Sequence, residues 1–159
     1  MIKIVKNYTT KIATIKTISE IEEIIVCFGA KGILKEYSGS GVKSLMFFIE
    51  RDNQKIPFKI PFNIEKCRSI IVKAVEEKKL SKKYLEEPLR SQQGERVCWR
   101  IIKDWLHCQL SLIEIEFVDP IEILLPYVYD MVENKTIYQK FINKKEMFLG
   151  LEEKQKEQK

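Results

Sequence analysis

Apolar residues recur at helical spacing through Ile21, Ile24, Ile25 and Phe28, which gathers them on one face of an amphipathic helix. The preceding Thr17-Ile18-Ser19-Glu20 has the spacing of a capping box. There the Thr17 hydroxyl and the Glu20 carboxylate each satisfy a free backbone amide, so a helix is predicted to start at Thr17. Gly29 can take the left-handed conformation that ends it. Before this helix, a short strand is predicted over Lys11–Ile15.

After Gly29 the period changes to two. Ile33–Tyr37, Val42–Glu50 and Lys55–Phe62 read as three strands, linked by Ser38-Gly39-Ser40-Gly41 and by Asp52-Asn53 at hairpin length. The expected product is an antiparallel meander. In the third strand Ile56, Phe58, Ile60 and Phe62 face one way and Pro57, Lys59 and Pro61 the other. The two prolines remove amides from one edge, which marks an outer strand protected against further pairing.

Asn63 is a good N-cap for a helix carrying Cys67, Ile70, Ile71, Ala74 and Val75 at helical spacing. After Pro88, the segment Gln92–Glu114 reads as a long helix. Its apolar residues, including Val97, Trp99, Ile102, Trp105, Leu106, Leu110 and Leu112, cover more than one stripe, so it is predicted to be the central core helix. Asp119-Pro120 then places an N-cap ahead of a first-turn proline, and a short docking helix should follow. The fold class expected is α+β: a three- to four-stranded antiparallel meander covered by helices, with a long central helix and a helical C-terminal third. Residues 1–150 form a single domain and 151–159 a charged, disordered tail.

Composition adds bounds. With 159 residues, 45% hydrophobic and 32% charged, the chain is neither disordered, collagen-like nor a small disulfide scaffold. A net charge of +5 divides unevenly, at +4 over residues 1–62, +3 over 63–114 and −2 over 115–150. A polyanion would therefore meet the first two-thirds of the chain. No apolar run reaches the roughly 18 residues of a membrane span, and the expected location is the cytoplasm. Cys27, Cys67, Cys98 and Cys108 lie in apolar-rich stretches without a CxxC pair and are expected to be buried free thiols.

Catalytic chemistry is hard to assemble from these residues. His107 is the only histidine, which excludes a zinc site with two or three imidazoles. Its neighbour Cys108 points about 100 degrees away on a helix, although Cys67 or Cys98 can approach His107 through the fold. Glu36, Glu50 and Asp52 lie on or beside the meander and are candidates for gathering a divalent ion. Gly39-Ser40-Gly41 lacks the Lys-Ser/Thr of a phosphate loop. Neither a metal nor a cofactor is expected, and the reading is non-enzymatic.

Two binding surfaces are candidates. Arg96, Arg100, Lys103 and His107 form a polar row on the long helix that can track phosphates, with Gln92 and Gln93 extending it. The alternative for the row is a solvated face on which Arg100 pairs with Asp104. Trp99 and Trp105 lie about 120 degrees apart, too far round for a continuous stacking platform. Tyr127, Tyr129, Ile137, Tyr138, Phe141 and Phe148 make the C-terminal third unusually apolar. They either complete the core or form an association surface, for a host protein or for a second copy in a homodimer.

The run Glu95-Arg96-Val97-Cys98-Trp99-Arg100-Ile101-Ile102-Lys103-Asp104-Trp105-Leu106, with Gln109–Glu114 and Leu124-Leu125-Pro126-Tyr127, resembles a family of uncharacterised small proteins of bacteriophages and integrative mobile elements. The resemblance spans about Thr17 to Tyr127, and His107-Cys108 departs from the residues usual there. With no activity assigned to the family, it implies no site residue. It implies a phage or mobile-element protein binding a host macromolecule, an inhibitor of a defence system being one instance. The alternative is a nucleic-acid-binding accessory factor that uses the basic helix face.

Overall fold

The computed structural model describes residues 6–39, 41–116 and 118–144. The expected tail 151–159, Phe148 and Ser40 lie outside the described residues.

Helix α1 (Thr14–Cys27) buries Thr17, Ile18, Ile21 and Ile25, the stripe required by a 3.6-residue period. It begins three residues before the predicted start. Ala13 is its N-cap and supplies no side-chain bond. Thr17 sits inside the helix with its hydroxyl turned back to the Ala13 carbonyl, and the Glu20 carboxylate is held by cations of a distant helix. The capping box therefore does not form. The strand expected over Lys11–Ile15 is also missing, because α1 takes its second half.

Strands β1 (Gly32–Ser38), β2 (Gly41–Arg51) and β3 (Gln54–Lys59) form the antiparallel meander in the order β1-β2-β3. Asp52 and Asn53 have φ of 51° and 61°, as a two-residue I′ hairpin turn requires. A register shift at Glu36/Tyr37, which pair with Ser44 and Val42, leaves Lys43 as the extra residue of a bulge. This puts Val42 on the same face as Leu45 and Phe47, where strict alternation would oppose them. Strand β3 ends at Lys59, three residues short of the predicted Phe62, and its outer edge is not closed to pairing as expected, since Phe58, beside Pro57, takes a bridge from Val128.

Helix α2 (Ile64–Glu76) starts at Asn63, whose side chain accepts from the Lys66 amide at 3.0 Å. Helix α3 (Leu89–Glu114) runs through the middle and buries Gln93, Gly94, Val97, Cys98, Trp99, Ile102, Leu106 and Leu110. Leu112 is exposed. The core lies between α1, α3 and the Leu45–Phe47–Phe58 face of the sheet, with Phe47 and Phe58 stacked at 5.3 Å. Gly94 brings α2 and α3 together, since a Cβ there would lie 2.8 Å from Arg68 Cγ and 3.3 Å from the Arg68 backbone.

A 3-10 turn (Lys82–Leu85) links α2 to α3, and the remaining elements are α4 (Pro120–Leu124), a second 3-10 turn (Leu125–Tyr127), the ribbon β4 (Tyr129–Asp130) with β5 (Lys135–Thr136), and α5 (Ile137–Asn143). Asp119 caps α4 by accepting from Ile121 N at 2.8 Å, and both its oxygens accept from Arg51 at the end of β2. Thr136 and Gln139 close a reciprocal capping box on α5. Leu124 is buried in the core and Val128 packs against it, so the front of this third docks on the body of the domain. The fold is α+β. No helix among the described residues is long and apolar enough to cross a membrane.

Candidate functional site

The basic row on α3 is largely engaged inside the fold. Arg100 Nη1 lies 2.8 Å from Glu20 Oε2 on α1, and Lys103 Nζ bonds the same oxygen. The Lys103 hydrogen bond, with the charges of Lys103, Arg100 and Lys16, holds the Glu20 carboxyl below its ordinary value against the opposing cost of burial. Arg96 reaches Gln93 Oε1 at 3.5 Å, and His107 is exposed. Gln93 is buried and donates to the carbonyls of Tyr8 and Thr10, so it does not extend a phosphate-tracking row. Asp104 pairs with Lys6 and Asn7, not with Arg100. The tryptophans are packing residues: Trp99 against Phe62 at 4.7 Å, and Trp105 edge-on to Tyr127 at 4.9 Å.

Neither candidate reactive cluster assembles. Glu36 sits opposite Ser44, whereas Glu50 and Asp52 lie at the far end of the sheet beside the β2–β3 turn. Among the described residues, no three His, Cys, Asp or Glu side chains are grouped to hold a metal ion. Cys27 and Cys108 are exposed, contrary to expectation, because helix geometry turns them outward from apolar stretches. Cys67 and Cys98 are buried free thiols in mutual hydrogen-bonding contact. That contact and burial push the Cys98 thiol up, so it stays protonated. His107 lies nine residues along α3 from Cys98, about 13 Å away.

The aromatic candidates behave differently. Tyr127, Tyr129, Ile137 and Phe141 are half-buried, while Tyr138 is 57% exposed. Tyr129 lies under Lys59 Nζ, 4.6 Å from the ring centroid, and its hydroxyl donates to Asn134. With the end of β3 and the start of α2, Tyr127, Tyr129 and Tyr138 line a groove of about 620 Å³. Tyr127, Tyr129, Tyr138 and Phe62 form its aromatic part, and Lys59 and Lys66 its cations. No carboxylate lies among the described residues lining it. Next to it, a hollow lined by Lys135, Ile142 and Asn143 shares Asn134, Tyr138 and Gln139 with the groove.

Lys59, Asn63, Lys66, Asn134 and Gln139 contribute to this groove, although the sequence marks none of them as a binding residue and Asn63 only as a helix cap. They come from three separate segments and have no shared local motif. Comparison with family models, with curated proteins and with solved structures finds no match to this chain.

Proposed function

We propose that the protein is a non-enzymatic binding protein of a phage or mobile element, acting in the bacterial cytoplasm by occupying a host macromolecule. A host protein is the favoured partner, a component of a defence system being one instance. The observation that carries this reading is the outward side of the β4–β5–α5 unit. Within 15 residues it exposes Met131, Val132, Tyr138 and Ile142, apolar side chains of the kind that mark association surfaces. Half-buried Tyr127, Tyr129, Ile137 and Phe141 anchor that surface to the domain. Engagement of Arg100 and Lys103 by Glu20 counts against the basic face of α3 as the binding surface.

The test is Val132→Asp combined with Ile142→Asp. Those positions are 91% and 48% exposed, so the double variant is expected to fold like the parent and to lose its partner. Retention of the same partner would refute the assignment. Sizing of the parent and variant decides the homodimer version: a dimer that dissociates on substitution makes a second copy the partner, and a monomer leaves a foreign one.

A further inference from the structure

The inner side of the same unit carries a different chemistry. Three amides line the groove, and the oxygen of each already accepts one bond within the fold. Asn63 Oδ1 accepts from Lys66 N, Asn134 Oδ1 from the Tyr129 hydroxyl, and Gln139 Oε1 from Thr136 N. Each amide has two further N–H donors, and none has a protein partner among the described residues. The groove thus offers three amide NH₂ groups and the ammonium groups of Lys59 and Lys66, with no carboxylate in its described lining. Its complement is rich in hydrogen-bond acceptors and negatively charged.

The rings narrow the class further. Tyr127 is fixed edge-on to Trp105 and Tyr129 is held under Lys59, while Tyr138 stands largely exposed at the rim. A planar ring can stack on Tyr138 over the apolar floor of Ile60, Phe62 and Pro126. The volume of about 620 Å³ falls within the roughly 300–1,000 Å³ of small-molecule sites. An extended peptide is a poorer complement, because each of its residues brings a backbone N–H to a lining whose ammonium and amide N–H groups are themselves donors.

We propose that the groove between β3, α2 and the β4–β5–α5 unit binds a nucleotide unit, its base stacked at Tyr138 and its phosphate between Lys59 and Lys66. The unit can come from a free nucleotide or from single-stranded nucleic acid. A duplex does not fit, because its bases are stacked and paired. This site shares Tyr138 with the outward protein-binding surface, whereas Val132 and Ile142 lie outside the groove lining, so Val132→Asp with Ile142→Asp should leave nucleotide binding unchanged.

The probes are fluorescent 12-nucleotide single-stranded DNA and RNA, the matching duplex, and unlabelled nucleoside monophosphates as competitors. Anisotropy at low salt should show single strands bound at least about tenfold more tightly than duplex. Tyr138→Ala should weaken binding about tenfold, within the range for one stacked base. Lys66→Glu should weaken it at least about fivefold and reduce the log–log salt slope by about 0.7 for the lost phosphate contact. That variant puts a carboxylate in the first turn of α2, where the helix dipole favours it, so folding is preserved and circular dichroism checks it. Displacement by a monophosphate assigns the free nucleotide, and displacement only by oligomers assigns a strand; both support the site. No binding of any probe by the parent, equal affinity for duplex, or unchanged binding by both variants would overturn it. Stronger displacement by an acidic tyrosine-containing peptide would also overturn it, giving the groove to a protein ligand.

Discussion

Replacing Glu20 with glutamine tests how α1 is fastened to α3. One carboxylate oxygen receives both Arg100 and Lys103, and the three side chains are only 26%, 17% and 22% exposed. Exposed pairs contribute about 0.2–1 kcal/mol, while a hydrogen bond to a charged group contributes about 1.5–3 kcal/mol. This partly buried triad lies between those limits, and its loss leaves two cations facing each other. Glu20→Gln is therefore expected to cost about 1–3 kcal/mol, or a fall of roughly 4–8 °C in Tm at the middle of that range for a domain of this size. Urea unfolding followed by circular dichroism reads the free energy directly.

The dependence on pH sharpens that test. Folding lowers the Glu20 pKa, so the stabilisation is fully present above the unfolded carboxyl value of about 4.3. It fades as pH falls through the lower folded value. The gap between parent and Glu20→Gln should be full at pH 7 and should close on acidification. A loss below about 0.5 kcal/mol, ordinary for a surface substitution, or a gap that does not change with pH, would refute the claim that this ion triad joins the helices.

Gly94→Leu is expected to destabilise by about 1–3 kcal/mol through overpacking against Arg68; unchanged unfolding in urea would mean that α2 and α3 do not meet there. Asp130 is held at about 2 by its hydrogen bonds from Lys140 and from the amides of Glu133 and Val132. Its contribution to holding the β4–β5–α5 unit together should therefore be present above pH ~4 and lost as pH falls through about 2. Hydrogen exchange over 129–143 should distinguish Asp130→Asn from the parent at neutral pH and not at the acid limit. Arg96→Ala with His107→Ala leaves the Glu20 pairs intact and should not alter oligonucleotide binding. A loss above about threefold would return phosphate contact to the α3 row. Reductant and chelator should leave Tm nearly unchanged, whereas a drop of more than about 10 °C with chelator would reveal a structural ion.

The readable parts of this fold were those governed by neighbours in sequence. Alternation and the Asp52-Asn53 turn specify the meander, and Asn63 and Asp119 cap the helices that follow them. Thr17-Ile18-Ser19-Glu20 satisfies the local rule for a cap, yet Arg100 and Lys103, some 80 residues away, take the carboxylate. The same contact ties up Arg100 and Lys103 in the middle of the α3 row, and nothing in its i, i+4, i+7 spacing announces α1 beside it. Cys27 and Cys108 misled for a related reason: apolar neighbours in sequence do not fix which way a helical side chain points. The groove combines the end of β3, the start of α2 and residues 126–139, so only tertiary packing assembles it. Its aromatic half was nonetheless visible as Tyr127, Tyr129 and Tyr138.

The most direct test of the binding reading is site-specific photo-crosslinking in host extract. A photoreactive side chain replaces Val132 or Ile142 on the terminal unit, or Val26, exposed on α1. A discrete crosslinked partner from Val132 and Ile142, absent from Val26 and lost on competition with unlabelled protein, is the expected result. Specific crosslinks from Val26 alone would contradict the assignment of the association surface to residues 129–143.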